Sequence, residues 1–284
     1  MALFGLFNYS KPGPGVDKNG PKKKRFFYFF ELYGRKFWKL IELNLLYLVC
    51  CIPIVTIGPA TCGLVYILRN FANEKPVFMV SDFFDAFKSN FKQGFVIGLF
   101  DLLTTGIVSV ALIWYIANQQ LSIAMAIPLV ICIIVEVLLM FMRFYTYLMT
   151  VTVELPIKYI LKNSFIFAFL GLKSNLISGF WTVLLILPLL WLWPWLLFFV
   201  VIGFSTLAFI ATFNSYPYIV KYIIEPHEKQ MRAEMGEDDE DDDEDEEDDD
   251  EPIFTDIGSQ EKPALPEKKP GKQKIIRSSI QNSI

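Results

Sequence analysis

The chain holds very little of the chemistry that enzymes and metal sites use. It has one histidine, His227, and four cysteines that all lie inside apolar runs: Cys50, Cys51, Cys62 and Cys132. None of these residues has the spacing of a metal site, and neighbouring Cys50 and Cys51 are poorly placed to pair with each other. We interpret the cysteines as small apolar side chains. We therefore expect no metal and no cofactor.

Motifs of catalytic sites are missing as well. There is no nucleophile elbow, no P-loop and no dinucleotide fingerprint, and Gly13-Pro14-Gly15 is typical of a turn rather than a phosphate-binding loop. With its lone histidine the chain is predicted not to be an enzyme, and an intramembrane enzyme is the least favoured function. We expect no cleaved leader, because Met1 to Phe7 is too short for the apolar core of a signal peptide.

Apolar sequence is abundant instead. Hydrophobic residues make up 54% of the chain, and phenylalanine alone contributes 27 of 284 residues. They are gathered in runs long enough to cross a bilayer, which takes about 20 residues each. The runs predict an all-α fold, a polytopic transmembrane helical bundle of about six membrane segments arranged as three hairpins.

Three uncharged breaks in these runs predict the tips of the hairpins. They lie at residues 51–59, 118–120 and 188–194. The first break holds Pro53 and Pro59, and the third holds two prolines at the same spacing. Because proline ends helices but is tolerated in their first turn, one helix should stop near Pro53 and the next should start at Pro59. Hairpins one and three are short, so four or five passes remain alternatives to six.

The basic residues lie between the hairpins and before the first one. They include Lys75, Lys88, Lys92, Arg143, Lys158, Lys162 and Lys173, together with a basic, Pro/Gly-rich arm at residues 1–25. The positive-inside rule places all these segments in the cytoplasm. We therefore predict a multi-pass protein of the cell membrane with both termini cytoplasmic. Its membrane domain should cover residues 26–225 and its tail residues 226–284.

The tail contains an unbroken acidic run of 15 residues, at 237–251. Without this run, 26 basic residues face 15 acidic ones, so the body of the protein is basic. Like charges repel one another and bury no apolar surface, which predicts a disordered acidic tail. Binding of basic partners or divalent cations and folding back on the basic body are open roles for it.

Two shorter segments have the pattern of amphipathic interfacial helices. Between Ser81 and Phe91, four phenylalanines share one face, and Ser81 suits the N-cap. Val153–Phe167, which carries two lysines, is the second segment. In addition, a Lys-Ser-Asn element followed by Gly-Phe occurs at residues 88–95 and again at 173–180 with identical spacing. This recurrence favours a structural repeat.

Few polar or ionisable residues lie inside the predicted spans, and charge is expensive there. Asp101 is seven residues into span three, which begins at Gly94. Span four should cover Leu121–Met142; Glu136 lies near its end, seven residues before Arg143, and Asn44 opens span one. An antiparallel hairpin would place Asp101 and Glu136 at similar depth, about 10 Å in. These residues suggest a polar, cytoplasm-facing cavity for a cation, a proton or a hydroxylated solute; a structural cluster that orients the helices is the favoured alternative.

The first hairpin tip is a second candidate site, formed by Pro53, Thr56, Gly58 and Pro59. A helix N-terminus at membrane depth offers free N–H groups and a positive dipole end, which suit an anion or a carbonyl group. Short, broken membrane segments also mark binding sites in transporters. The alternative that we favour is a plain hairpin cap, whose threonine hydroxyls satisfy the freed backbone groups.

Two stretches carry family motifs. The first covers residues 37–60 and ends in Pro-Ile-Val-Thr-Ile-Gly-Pro-Ala, and the second covers residues 81–93, with Ser-Asp-Phe-Phe and Phe-Lys-Ser-Asn-Phe-Lys-Gln. The chain resembles the YesL family, integral membrane proteins of Gram-positive bacteria, over roughly residues 8–225. That family is defined as a domain of unknown function, and its members often lie beside genes for carbohydrate ABC importers and glycoside-degrading enzymes.

The resemblance implies a link to carbohydrate uptake. We therefore expect a non-enzymatic accessory or regulatory component of an ABC-type import system. Its partners would be the lipid bilayer and importer subunits, with homo-oligomerisation as a further option and no nucleic acid. The alternative function is a small membrane transporter or channel with a polar site near Asp101 and Glu136.

Overall fold

The computed structural model describes residues 24–118, 125–190 and 194–234, and within these ranges the protein is all-helical. The predicted acidic run, most of the basic arm and most of the second hairpin tip lie outside them. The helices are α1 (Arg25–Cys51), α2 (Ile57–Ala72), α3 (Met79–Ser89), α4 (Phe91–Asn118), α5 (Ala126–Thr152), α6 (Ile157–Leu170), α7 (Leu172–Ile186), α8 (Trp195–Phe198), α9 (Phe204–Ile219) and α10 (Glu225–Glu234).

Several helical stretches are long and apolar enough to cross a membrane. There are four in the described ranges, namely Ile54–Ala72, Phe91–Asn118, Ala126–Thr152 and Trp195–Arg232. A fifth results if α6 and α7, which are bent by 90°, count as one broken span. Helix α1 is not among them; its middle carries Arg35, Lys36, Lys39 and Glu42. Membrane-protein character is thus supported, whereas the six segments and their hairpin arrangement are not confirmed.

The helices break where the prolines predict. Helix α1 ends at Cys51, a 3₁₀ turn covers Ile54–Thr56, and α2 begins at Ile57, with Pro59 in its first turn. The Thr56 hydroxyl donates to the carbonyl oxygens of Cys50 and Pro53, both at 2.6 Å. The third break is likewise a 3₁₀ turn, Leu187–Leu190, before α8.

Helix α2 lies at the centre of the bundle and is buried along most of its length. On one side, Leu68 and Phe71 pack in a core cluster with residues of α1, α3 and α9. On the other side, Cys62 and Val65 belong to a second cluster with residues of α4 and α5. By contrast, α4 and α5 leave much of their apolar surface exposed, as expected of helices that face lipid.

Helix α3 has the predicted amphipathic face, which packs inside the protein. Phe83 is fully buried in the core cluster of α2, and Phe84 and Phe87 pack against that cluster. The helix begins at Met79, so Ser81 does not serve as its N-cap. The Asp82 carboxylate accepts a hydrogen bond from the Phe78 backbone N–H at 2.9 Å instead, because an acidic side chain in the first turn can reach back to the free donors.

The two Lys-Ser-Asn elements use their asparagines in similar ways. Asn90 lies at the break between α3 and α4, and its amide donates to the Ala86 carbonyl oxygen at 2.8 Å. Asn175 donates to the carbonyl oxygens of Phe167 and Ala168, at the end of α6. The second break, at Gly171, lies one turn before its asparagine, so the two copies share the bonding but not the position of the bend.

The last helical stretch is irregular and longer than predicted. π-Helical turns at Phe199–Gly203 and Val220–Ile224 flank α9. Helix α10 continues nine residues beyond the expected end of the membrane domain at Glu225. His227, which was expected in the polar tail, is buried.

Helices α2 and α4 touch through their backbones. A Cβ atom on Gly58 would overlap the carbonyl oxygen of Gly94, and one on Gly98 would lie 2.7 Å from the Gly58 Cα. Gly94 and Gly98 form a small-xxx-small pair, which allows close approach of helices in membranes. The crossing admits no side chain at these three positions.

We expect Gly58→Ala to lower the free energy of unfolding by about 1–3 kcal/mol, because the added methyl group overpacks the crossing. Gly106→Ala on α4 is the matched control, since a Cβ there has open space around it. Thermal unfolding of both variants in detergent provides the measurement. Equal melting temperatures for the two variants would contradict the close contact.

Candidate functional site

A cavity of about 660 Å³ opens between α2, α4, α5, α7 and α9. It brings parts of both predicted sites together, because Asp101, Arg143 and Gly58 all line it. Its other polar lining residues are Tyr47, Thr61, Thr105, Tyr147, Thr182 and Thr212. The remaining lining residues are mainly aliphatic and aromatic, so a few polar groups stand in an apolar chamber.

The centre of the polar group is an ion pair between α4 and α5. Arg143 Nε and Nη2 donate to Asp101 Oδ1 at 3.0 and 2.8 Å, and Nη2 also donates to Thr105 Oγ1 at 2.7 Å. Asp101 lies ten residues after the start of α4, and Arg143 lies nine residues before the end of α5. The antiparallel helices therefore place the two groups at the same level.

The pairing of Asp101 with Glu136 at one depth is wrong. The predicted fourth span ended at Met142, whereas α5 continues to Thr152, so Arg143 lies within the helix at the level of Asp101. Glu136 is seven residues away on α5, about 10 Å along the axis. It does not line the cavity, and its buried Oε2 atom has no hydrogen-bond partner within the described ranges.

The ion pair is only partly withdrawn from the open space of the cavity. The side chain of Arg143 is 36% exposed and that of Asp101 is 27% exposed. A lone charge in a membrane is expensive, and pairing offsets much of that cost. Both hydrogen bonds from Arg143 to Asp101 end on the Oδ1 atom, so Asp101 Oδ2 receives neither of them. The pair thus presents an acceptor and a donor while its net charge is zero.

The predicted hairpin-tip site is divided between two roles. Gly58 forms part of the cavity wall, next to Gly98 of α4. Pro59 packs against α4, because a Cβ atom on Gly94 would come within 3.1 Å of the Pro59 Cα. Pro53 and Thr56 form the cap between α1 and α2 through the bond from the Thr56 hydroxyl. An anion site at the start of α2 stays a prediction.

Asn44, predicted as part of the polar site, bonds elsewhere. Its amide nitrogen donates to the carbonyl oxygens of Phe199 and Val200 at 3.1 and 2.9 Å. Its amide oxygen accepts from the Ser205 backbone N–H at 2.9 Å. Because a π turn leaves backbone groups without regular partners, the buried Asn44 side chain replaces them and holds α1 against the last span.

None of the six other polar lining residues is among the predicted site residues, and two of them lie one helix turn from a charged residue. Thr105 lies four residues after Asp101, and this i, i+4 spacing places both on one face of α4, a signal that the sequence contains. Tyr147 lies four residues after Arg143 and shares its face of α5 in the same way. Thr105 and Tyr147 could therefore have been predicted as the residues one helix turn beyond Asp101 and Arg143.

We expect Asn44→Leu to lower the free energy of unfolding by about 1–3 kcal/mol, because it leaves buried backbone groups without partners. In the control variant Asn118→Leu, the lost bond is an exposed one within α4, to the Trp114 carbonyl oxygen. That control should change stability by less than about 0.5 kcal/mol. Chemical or thermal unfolding in detergent measures both, and an equal effect would refute the bridging role of Asn44.

Comparison with known proteins finds one family. A family model described as "Protein of unknown function, DUF624" matches residues 40–112. This stretch runs from the second half of α1 through most of α4, and it includes Gly58, Asp101 and Thr105 but not Arg143. No curated protein and no solved structure matches the chain.

Proposed function

We propose that this protein is a non-enzymatic membrane protein that binds a small, neutral, hydroxylated solute in the central cavity. The observation that carries the proposal is the Asp101–Arg143 ion pair, which opens with Thr105 into a chamber of about 660 Å³. Cavities of about 300–1,000 Å³ that are mostly apolar and hold a few convergent polar groups are typical of small-molecule sites.

The charges favour a neutral solute over a free cation or a proton. Asp101 and Arg143 cancel each other, so an ion entering the cavity would meet no net opposite charge. A hydroxylated molecule supplies both donors and acceptors, which suits a carboxylate oxygen beside a guanidinium group. Thr105 Oγ1 accepts from Arg143, which leaves its own hydrogen to donate to a solute oxygen.

The walls of the cavity support the same class of ligand. Thr61, Thr182 and Thr212 add hydroxyl groups, and Phe95 and Phe144 add aromatic surface. A sugar has polar hydroxyl edges and flatter C–H faces, and such a mixture of groups can contact both. Mono- and disaccharides are therefore the solutes that we would test first.

We expect at least one neutral mono- or disaccharide to raise the melting temperature of the purified protein, because ligands that bind only the folded state stabilise it. Thr105→Val keeps the ion pair and the shape of the side chain but removes the hydroxyl. It should weaken binding by about three- to tenfold, as expected for one hydrogen bond. Titration followed by thermal shift gives the affinity.

Thr104→Val is the matched control, because the Thr104 hydroxyl donates to the Phe100 and Asp101 carbonyl oxygens within α4 and does not line the cavity. It should leave the affinity for the sugar unchanged. Equal affinities for Thr105→Val and the parent protein would remove Thr105 from the site. No response to any sugar of a broad panel would overturn the proposal itself.

The proposed setting is carbohydrate import, in which the protein would assist or regulate an ABC-type system of a Gram-positive cell membrane. The match of residues 40–112 to an uncharacterised family supports only a family of unknown function, and the resemblance to the YesL family adds the link to sugar uptake. In this setting both termini would lie in the cytoplasm, as the positive-inside pattern predicts, and the lipid bilayer and importer subunits would be the partners.

We expect permease or ATPase subunits of a carbohydrate importer to co-elute with the full-length, tagged chain from native membranes in mild detergent. Mass spectrometry of the eluate identifies them, and an unrelated tagged multi-pass protein is the control. An eluate without importer subunits would argue against the accessory role. Sugar flux into proteoliposomes that hold this chain alone, abolished by Asp101→Asn, would favour the transporter or channel alternative.

A further inference from the structure

A second cavity, of about 410 Å³, lies between α1, α7 and α9. We call it the lateral cleft. Its lining residues include two basic side chains, Arg25 and Lys173, and no acidic residue among those that the structure describes. None of the residues that line the cleft lines the central cavity, so the cleft is separate from the proposed solute site.

The lateral cleft is polar at one end and mainly apolar along the rest of its length, where the hydroxyl groups of Tyr33 and Thr206 bond to each other. On α7 its wall consists of Lys173, Ser174, Ile177, Trp181 and Leu185, which lie on one helix face. The rise of an α-helix separates Lys173 from Leu185 by about 18 Å. Half of a hydrocarbon core of about 30 Å is similar to this length, so the cleft matches the depth of one bilayer leaflet.

The polar end is built around Arg25 at the start of α1. Arg25 Nη2 donates to the Phe213 carbonyl oxygen at 2.7 Å, and the guanidinium lies 5.2 Å from the centre of the Phe213 ring. Ser174 Oγ donates to the Asn214 carbonyl oxygen at 2.9 Å, which places the start of α7 at the same level. Arg25 Nε is buried without a hydrogen-bond partner in the described part of the chain.

The charge along the sequence reinforces this end. Lys22, Lys23 and Lys24 directly precede Arg25, and Lys173 is the second residue of α7. Basic residues near an anionic membrane surface each contribute about 1 kcal/mol of attraction. In contrast, the other end of the cleft is walled by Phe30, Trp181 and Leu185, which offer an acyl chain an apolar surface.

We propose that the lateral cleft binds one anionic phospholipid, with its phosphate group at Arg25 and Lys173 and an acyl chain along Trp181. Two cations without a matching acid select a negative headgroup over a zwitterionic one. A second copy of the chain would bring like charges together at the basic end. The acidic run at 237–251 would suit that end but has no apolar residue to fill the rest of the cleft.

Trp181 makes the proposal measurable, because bromine atoms on acyl chains quench tryptophan fluorescence on contact. The full-length chain is reconstituted in phosphatidylcholine bilayers that contain either dibrominated phosphatidylglycerol or, at the same mole fraction, dibrominated phosphatidylcholine. The signal of Trp181 is the difference between the parent protein and Trp181→Phe, since the chain has six tryptophans. We expect brominated phosphatidylglycerol to quench this signal more strongly than brominated phosphatidylcholine.

The double variant Arg25→Gln/Lys173→Gln should lose this excess quenching. The matched control Lys158→Gln/Lys162→Gln, on α6 and outside the cleft, should keep it. If loss of the Arg25 contacts prevents folding, Lys173→Gln alone should still reduce the excess, because Lys173 makes no comparable contact to the α9 backbone in the described chain.

Three results would overturn the proposal. Equal quenching by the two brominated lipids would show a cleft without headgroup selectivity. Trp181 fluorescence that neither lipid quenches would show that protein covers the cleft, either a second copy or the acidic run of the same chain. Excess quenching that persists in both basic-residue variants would show that Arg25 and Lys173 do not hold the phosphate. None of these results bears on sugar binding in the central cavity, so the two proposals fail separately.

Discussion

The contact between α2 and α4 is a contact of two backbones, and the remaining architecture is arranged around it. Gly58 and Gly98 allow α2 to lie directly against α4, which leaves α2 surrounded by protein while α4 turns its other face outward. Asp101 lies three residues beyond Gly98, so the carboxylate that pairs with Arg143 of α5 lies about one helix turn from the crossing. The cavity and its ion pair therefore lie beside a crossing where no side chain fits.

Several buried polar side chains serve the breaks and ends of helices. Asn44 satisfies the backbone of a π turn, and Asn175 satisfies the end of α6. Arg69, buried in α2, donates to the Val151 carbonyl oxygen at 2.9 Å, where a cation also meets the negative end of the α5 dipole. In an apolar solvent an unsatisfied backbone group is costly, so each interruption needs a polar partner nearby. The Asp101–Arg143 pair differs because it satisfies no backbone group and opens into a cavity.

The parts of this structure that depend on local sequence could be predicted, and those that depend on register could not. Pro53 and Pro59 determine a helix break by their own covalent geometry, and long apolar runs determine helices that suit a membrane. The partner of Asp101 depends on where α5 ends. The helix continues for ten residues beyond Met142, and this extension places Arg143 at the level of Asp101. The burial of Phe83 could not be predicted for a similar reason. The spacing of the phenylalanines in α3 indicates an apolar face, but such a face can contact either lipid or the protein interior. Only the packing against α2 shows that it is the protein interior.

Because of the π turn at Phe199–Gly203, the orientation of α9 depends on the number of residues that precede it. A π turn holds one residue more than the α-helical turn it replaces, and one residue rotates a helix by about 100°. Without that extra residue, the side of α9 that carries the buried rings of Phe209 and Phe213 would point away from α1, and Asn44 would face a different part of the backbone. A substitution in this span changes the contacts of one side chain. An insertion or deletion rotates all the following residues and changes which face of α9 packs against α1. This segment should therefore tolerate substitutions far better than insertions or deletions.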